Sequence, residues 1–146
     1  MRRFVITATV FTTVGLGALT IAQTKITTFE EYQKVMKAAA SGVQGANKAV
    51  GSGAFADAKT QLATARENFM TLQAFWSSGK TPDAAGFVKD LLTNVDAADK
   101  LLSAPTPDAT AVQGALKMAQ ASCGACHKLY REGDQTTGYK IKAGVL

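Results

Sequence analysis

The chain has little of what specialises most small proteins. Its 146 residues include two cysteines, one histidine, one tryptophan and three prolines. A structural zinc site uses four Cys or His ligands, more than this composition supplies. A fold stapled by disulfides needs several bridges, and two cysteines allow one. A Ser-His-Asp or Cys-His-Asn hydrolase would have to use the sole histidine, His127. There is no basic run and no interleaving of aromatics with arginine, so no nucleic-acid partner is expected. Sixteen Lys and Arg against eleven Asp and Glu give a net charge of +5. The lysines are dispersed, which gives a solvated surface and at most a weak steering field for an acidic partner. No sustained alternation of apolar and polar residues marks a strand.

The start of the chain is distinctive. Met1-Arg2-Arg3 is a short positive segment, and Phe4 to Ala22 carries neither charge nor proline. Thr20-Ile21-Ala22 before Gln23 is a tolerable small-x-small cleavage site. This is the layout of a secretory signal peptide over residues 1–22. The competing reading is an uncleaved anchor, for which the stretch is just long enough. Its five threonines and two glycines suit a lipid-facing helix poorly. No cysteine lies near its end to carry a lipid. Either way residues 23–146 face the exported side, which is periplasmic. Once the leader is cleaved, nothing inserts stably in a membrane.

Residues 23–146 read as one helical domain. The first segment opens at Thr28 with Glu31 three residues later, a capping box. Apolar residues then recur at Phe29, Tyr32, Val35, Met36, Ala39, Val43, Ala46 and Val50, and Gly51-Ser52-Gly53 ends the run. The second segment runs from Phe55 to Trp76, with Ala58, Leu62, Ala65, Phe69, Leu72 and Trp76 on one face. The third opens at Thr81-Pro82-Asp83, proline taking the first helical position. It points Phe87, Leu91, Val95, Ala98 and Leu101 or Leu102 inward. The fourth repeats that opening as Thr106-Pro107-Asp108 and stops near Gly133. Residues 134–146 are expected to be loosely ordered. Four helices joined by short loops favour an all-α, antiparallel up-down-up-down four-helix bundle. The inward positions hold many alanines, so either the helices approach closely or a bulky cofactor fills the space.

All the cysteine and histidine lies in Cys123-Gly124-Ala125-Cys126-His127. Cys-x-x-Cys-His is the attachment sequence of a c-type haem. On a helix, positions i, i+3 and i+4 share a face. Both thiols can then form thioethers with the haem vinyl groups while His127 offers its Nε2 to iron. A thioredoxin-type redox pair would want a βαβ setting, which is absent. A disulfide across two residues would close too short a loop to stabilise much. The expected cofactor is therefore covalent haem c, with its iron. The sixth iron position must fall to a methionine or to nothing in the chain, since no second histidine exists. Met118 lies nine residues before His127 on the same helix, about 13 Å along its axis, and cannot cross the ring. Met36 and Met70 both fall at the level of His127, so topology leaves both open. Phe75 and Trp76 are expected to pack near the haem.

A helical bundle with this motif on its last helix resembles the class II cytochromes c, the cytochrome c′ family, over nearly the whole of residues 23–146. The segment Cys123-Gly124-Ala125-Cys126-His127-Lys128-Leu129-Tyr130-Arg131 is similar to the family's Cys-x-x-Cys-His-x-x-Tyr-Arg ending. Gln33-Lys34-Val35-Met36-Lys37 is similar to its Arg-Gln-x-x-Met-Lys segment, with Tyr32 standing where the arginine is usual. The resemblance implies Arg131 beside the proximal histidine and the haem edge, Gln33 near the haem, and Met36 as the sixth ligand. It thus implies a low-spin monohaem electron carrier serving a redox protein partner, not an enzyme. The alternative within the family is a five-coordinate protein that binds nitric oxide or carbon monoxide. Some members dimerise through their first two helices, so a homodimer is also implied. A peroxidase would lack a distal histidine to move protons. An uncleaved leader would instead suit a fixed subunit of a larger redox complex.

Overall fold

A computed structural model describes residues 25–145, and the leader expected at residues 1–22 lies outside them. The described chain forms α1 (Phe29–Gly51), α2 (Phe55–Ser77), α3 (Pro82–Leu102) and α4 (Ala109–Tyr130). Two short antiparallel strands follow, β1 (Arg131–Glu132) and β2 (Lys140–Ile141), with Arg131 opposite Ile141. Among the described residues no helix is long and apolar enough to cross a membrane.

The helix starts follow local chemistry. At α1 the capping box forms: the Glu31 backbone N–H donates to Thr28 Oγ1 at 3.2 Å, and the Thr28 N–H donates to Glu31 Oε2 at 3.0 Å. Bonds from Thr27 and Thr28 hold the Glu31 carboxyl below its usual range. At α3 Pro82 takes the first position as expected, but Thr81 does not cap the helix. Its Oγ1 donates instead to the Val145 carbonyl at 2.6 Å. At α4 the cap is Asp108, not Thr106. Asp108 Oδ1 accepts from the N–H groups of Thr110 and Ala111 at 2.8 and 3.3 Å. A carboxylate also answers the positive end of the helix dipole, which a hydroxyl does less well. Pro107 is thereby left outside the helix.

Each helix packs on the next, and α1 also meets α4. Arg66 Nε lies 2.7 Å from Asp96 Oδ1 and Lys59 Nζ lies 3.5 Å from Asp99 Oδ1. Gly51 at the end of α1 faces Gln113 near the start of α4. Both ion pairs are exposed and contribute little. Aromatic contacts bring together Tyr32 near the start of α1, Trp76 near the end of α2, Phe87 of α3 and Tyr130 at the end of α4.

Among the described residues the buried core is wholly apolar or glycine. Leu62, Leu72, Val95, Val112 and Leu116 supply its bulk, and alanines fill much of the rest. Between α1 and α2 the seam sets Gly42 against Ala65 and Gln61, and Ala39 and Ala46 of α1 and Ala58 of α2 are buried too. A Cβ placed on Gly42 would fall 2.8 Å from Ala65 Cβ and 2.8 Å from the Gln61 carbonyl oxygen. The expected stripe of α1 divides in two: Ala39, Val43, Ala46 and Val50 are buried, whereas Tyr32, Val35 and Met36 are half-buried and Phe29 is exposed. On α3 the inward residue is Val88 and not Phe87. Phe87 is half-buried and turns toward the bundle end, its ring 6.5 Å from that of Tyr130.

Residues 134–145 are folded rather than loose. Asp134 Oδ1 accepts from the backbone N–H groups of Thr136 and Thr137, both at 2.8 Å, making a tight turn. Gly133 and Gly138 flank it at φ +81° and +79°, a region that side chains strain. The returning strand donates from the Lys142 N–H to the Tyr130 carbonyl at 2.9 Å.

Two consequences can be measured by chemical or thermal unfolding. Asp108→Ala should lower stability by about 1 kcal/mol, whereas Thr106→Ala should stay within about 0.5 kcal/mol. Gly42→Ala should cost about 1–3 kcal/mol through overpacking of the α1–α2 seam. At Gly45 an added Cβ meets only the movable Gln61 side chain. Gly45→Ala should therefore leave stability unchanged or raise it, since alanine is the better helix former by about 1 kcal/mol.

Candidate functional site

At the end of the bundle where the core gives way to half-buried residues, the helices enclose a cavity of about 500 Å³. That volume falls within the range of small-molecule sites. Helix α4 contributes Cys126, His127 and Tyr130 to its wall, one stripe at helical spacing. Helix α1 faces them with Tyr32, Gln33 and Met36, and α2 adds Trp76. Cys123 lies one turn before Cys126, half-buried and packed against the core, and is not part of the wall. The Cys-x-x-Cys-His motif is thus wholly helical, with Cys126 and His127 open to the cavity.

The geometry separates the methionines. Met36 lines the cavity together with His127. Met70 does not; it packs against the core, and its Sδ accepts from Arg66 Nη1 at 3.1 Å. Met118 is 58% exposed.

An aromatic cluster forms the end wall. The Trp76 ring lies 5.9 Å from Tyr32, 5.3 Å from Phe75 and 6.1 Å from Tyr130. Trp76 lines the cavity, as expected, while Phe75 stands behind it, 5.2 Å from the Tyr32 ring. Trp76 Nε1–H is buried and has no hydrogen-bond partner among the described residues.

The last wall was not foreseen. The segment between β1 and β2 borders the cavity as a strap, placing Asp134 and Tyr139 in its lining, and β2 adds Ile141. Gln33 Nε2 donates to the Tyr139 carbonyl at 3.0 Å. The Arg131 guanidinium sits 4.0 Å over the Tyr139 ring, a cation–π contact. Gln33 and Arg131 are therefore at the cavity, and both are held there by Tyr139. The signal available in the sequence was Gly133-Asp134-x-x-Thr137-Gly138, a turn with glycine on either side.

Electrostatics suit neutral ligands. Burial first, and the nearby Arg131 charge second, hold the His127 pKa below its usual value. At neutral pH its imidazole is uncharged and has a lone pair to give. Burial pushes the Cys123 thiol up. Burial and the neighbouring Cys123 push the Cys126 thiol up to about 11. Burial also raises the Tyr32 phenol, so it stays protonated. The donors facing one another across the space are thus an imidazole and a thioether. Among the described residues no group of three His, Cys, Asp or Glu is placed to hold a metal ion.

The raised thiol values give a direct check. Only the thiolate is alkylated, so a raised pKa lowers the rate at neutral pH. With both cysteines free, alkylation of Cys126 by iodoacetamide should rise with pH toward a midpoint near 11. A midpoint at the ordinary 9.0 would show the thiol to be free of the wall.

Compared with protein-family models, curated proteins and solved structures, the chain matches none. What it does is therefore to be read from its motif and its cavity.

Proposed function

We propose that the chain is an exported, monohaem c-type cytochrome that carries electrons and is not an enzyme. Its architecture in this reading is an up-down-up-down antiparallel bundle, with the haem held at the end where α1 and α4 face each other. The observation that carries the reading is that Cys126 and His127 of the motif share one cavity with Met36 of the facing helix. The apolar, aromatic wall and the unpartnered Trp76 N–H fit a large flat ligand with a few acceptor groups.

When bound, haem supplies a one-electron iron couple. Cys123 and Cys126 would hold it through thioethers, and His127, kept neutral by burial, and the Met36 thioether would hold its iron. A thioether in that position favours the reduced state and raises the potential. Lys37, Arg131 and Lys140 line the cavity with Asp134 as the acid among them. That local excess of positive charge suits a redox protein with an acidic face. A leader over residues 1–22 would deliver the chain to the periplasm, where haem attachment takes place.

Optical spectra of the purified protein test this. The wild type should be low-spin in both oxidation states. Met36→Ala should turn it high-spin, lower its potential and open it to carbon monoxide. A wild-type spectrum that is already high-spin, unchanged by Met36→Ala, would sink the electron-carrier reading in favour of a five-coordinate gas-binding protein.

A further inference from the structure

Trp76 has a role that the motif does not give it, and the argument for it rests on the haem reading above. It is the one tryptophan of the chain. It is 2% exposed, lines the cavity, and carries a buried Nε1–H without a partner among the described residues. Native interiors pair nearly all such donors. A phenylalanine would fill the same wall without an unsatisfied N–H. The neighbouring Tyr32 phenol is near enough to feel the indole N–H but makes no well-aligned bond with it, so an indole in this place suits an acceptor that arrives with the ligand.

The position of the indole says which acceptor. Its ring touches Tyr32 on one side and Tyr130 on the other. Tyr32 lies one turn before Met36 on α1. Tyr130 lies about one turn after His127 on α4. Those ends of the two helices meet, so both displacements run toward the end of the bundle. The indole is therefore set about 5 Å along the bundle from the level of His127 and Met36. It meets the rim of whatever lies between them, not the centre. The strong acceptors of a haem are its two propionate carboxylates, and both are on its rim. The Tyr32 phenol stands beside the indole as a second neutral donor. Gln33 and Arg131 are already engaged by Tyr139.

We propose that Trp76 Nε1–H donates a hydrogen bond to a haem carboxylate and anchors the carboxylate edge of the haem at the end of the bundle.

The test uses the mature, haem-loaded protein, in which a single tryptophan gives an unambiguous signal. Ultraviolet resonance Raman spectra in light and heavy water should show a hydrogen-bonded indole N–H. In Trp76→Phe, the haem carboxylate bending band in Soret-excited spectra should shift. A free-indole signature in the wild-type protein overturns the proposal, and this measurement does not depend on the variant folding. A carboxylate band that stays in place in folded Trp76→Phe, with a displaced stretch of the ferrous carbonyl adduct, also overturns it, because the donor would then stand over iron. Absence of covalent haem, read from the alkaline pyridine spectrum, overturns the site reading and this proposal together. Covalent haem with a free indole overturns this proposal alone.

Discussion

The distance between packed helices is set by the volume of the side chains between them, and here that volume is unevenly spent along the bundle. Along the α1–α2 seam, glycine and alanine bring two backbones into contact, leaving no room for a Cβ at Gly42. At the end where α1 begins, Tyr32, Phe75, Trp76 and Tyr130 form a connected aromatic cluster. Rings of that size pack against one another along their edges and leave the middle unfilled. The cavity is the result: tight helices over most of the length, and an aromatic wall around an open end. Position of the site follows from this contrast more than from any single contact.

Chemistry enters through one stripe of α4. A helix that continues through Cys123, Cys126, His127 and Tyr130 delivers sulfur, nitrogen and an aromatic ring to the same side at fixed spacing. The low dielectric that this placement brings acts on every group in the same sense. Thiols stay protonated, the phenol of Tyr32 stays protonated, and the imidazole stays neutral. The charges that line the cavity are those of Lys37, Arg131, Asp134 and Lys140, on exposed residues. A neutral interior with charge at its rim suits a site meant to hold a group and be approached from outside, and it agrees with the electron-carrier reading.

Much of this could be read without coordinates. Helical period and caps gave four helices, and the Thr28–Glu31 box formed as its spacing required. The errors came where two local signals competed. Thr106-Pro107 copies the opening of α3, but the adjacent carboxylate of Asp108 takes the cap. Phe87 and Val88 are neighbours, both apolar, and periodicity alone does not say which faces inward. Met36 and Met70 fall at the same level of the bundle as His127, and only the packing shows one on the cavity and the other under Arg66. The strap was least legible. Its strands are two residues each, and although the Asp134 turn is local, the bond that ties Tyr139 to Gln33 reaches across the chain, so no window of sequence contains both of its partners.

That last property bears on how the molecule is put together. Tyr139 is tied to Gln33, 106 residues away, and Val145 to Thr81, 64 residues away. Closing such long loops yields bonds only after their far ends are already fixed in space. The Asp134 turn can form by itself, whereas the bonds to Gln33 and Thr81 need the helices in place. If the helices collapse first, the cavity is more open on the strap's side until Tyr139 reaches Gln33. Under the haem reading, a large rigid group bound for Cys123 and Cys126 would find its entrance in that interval.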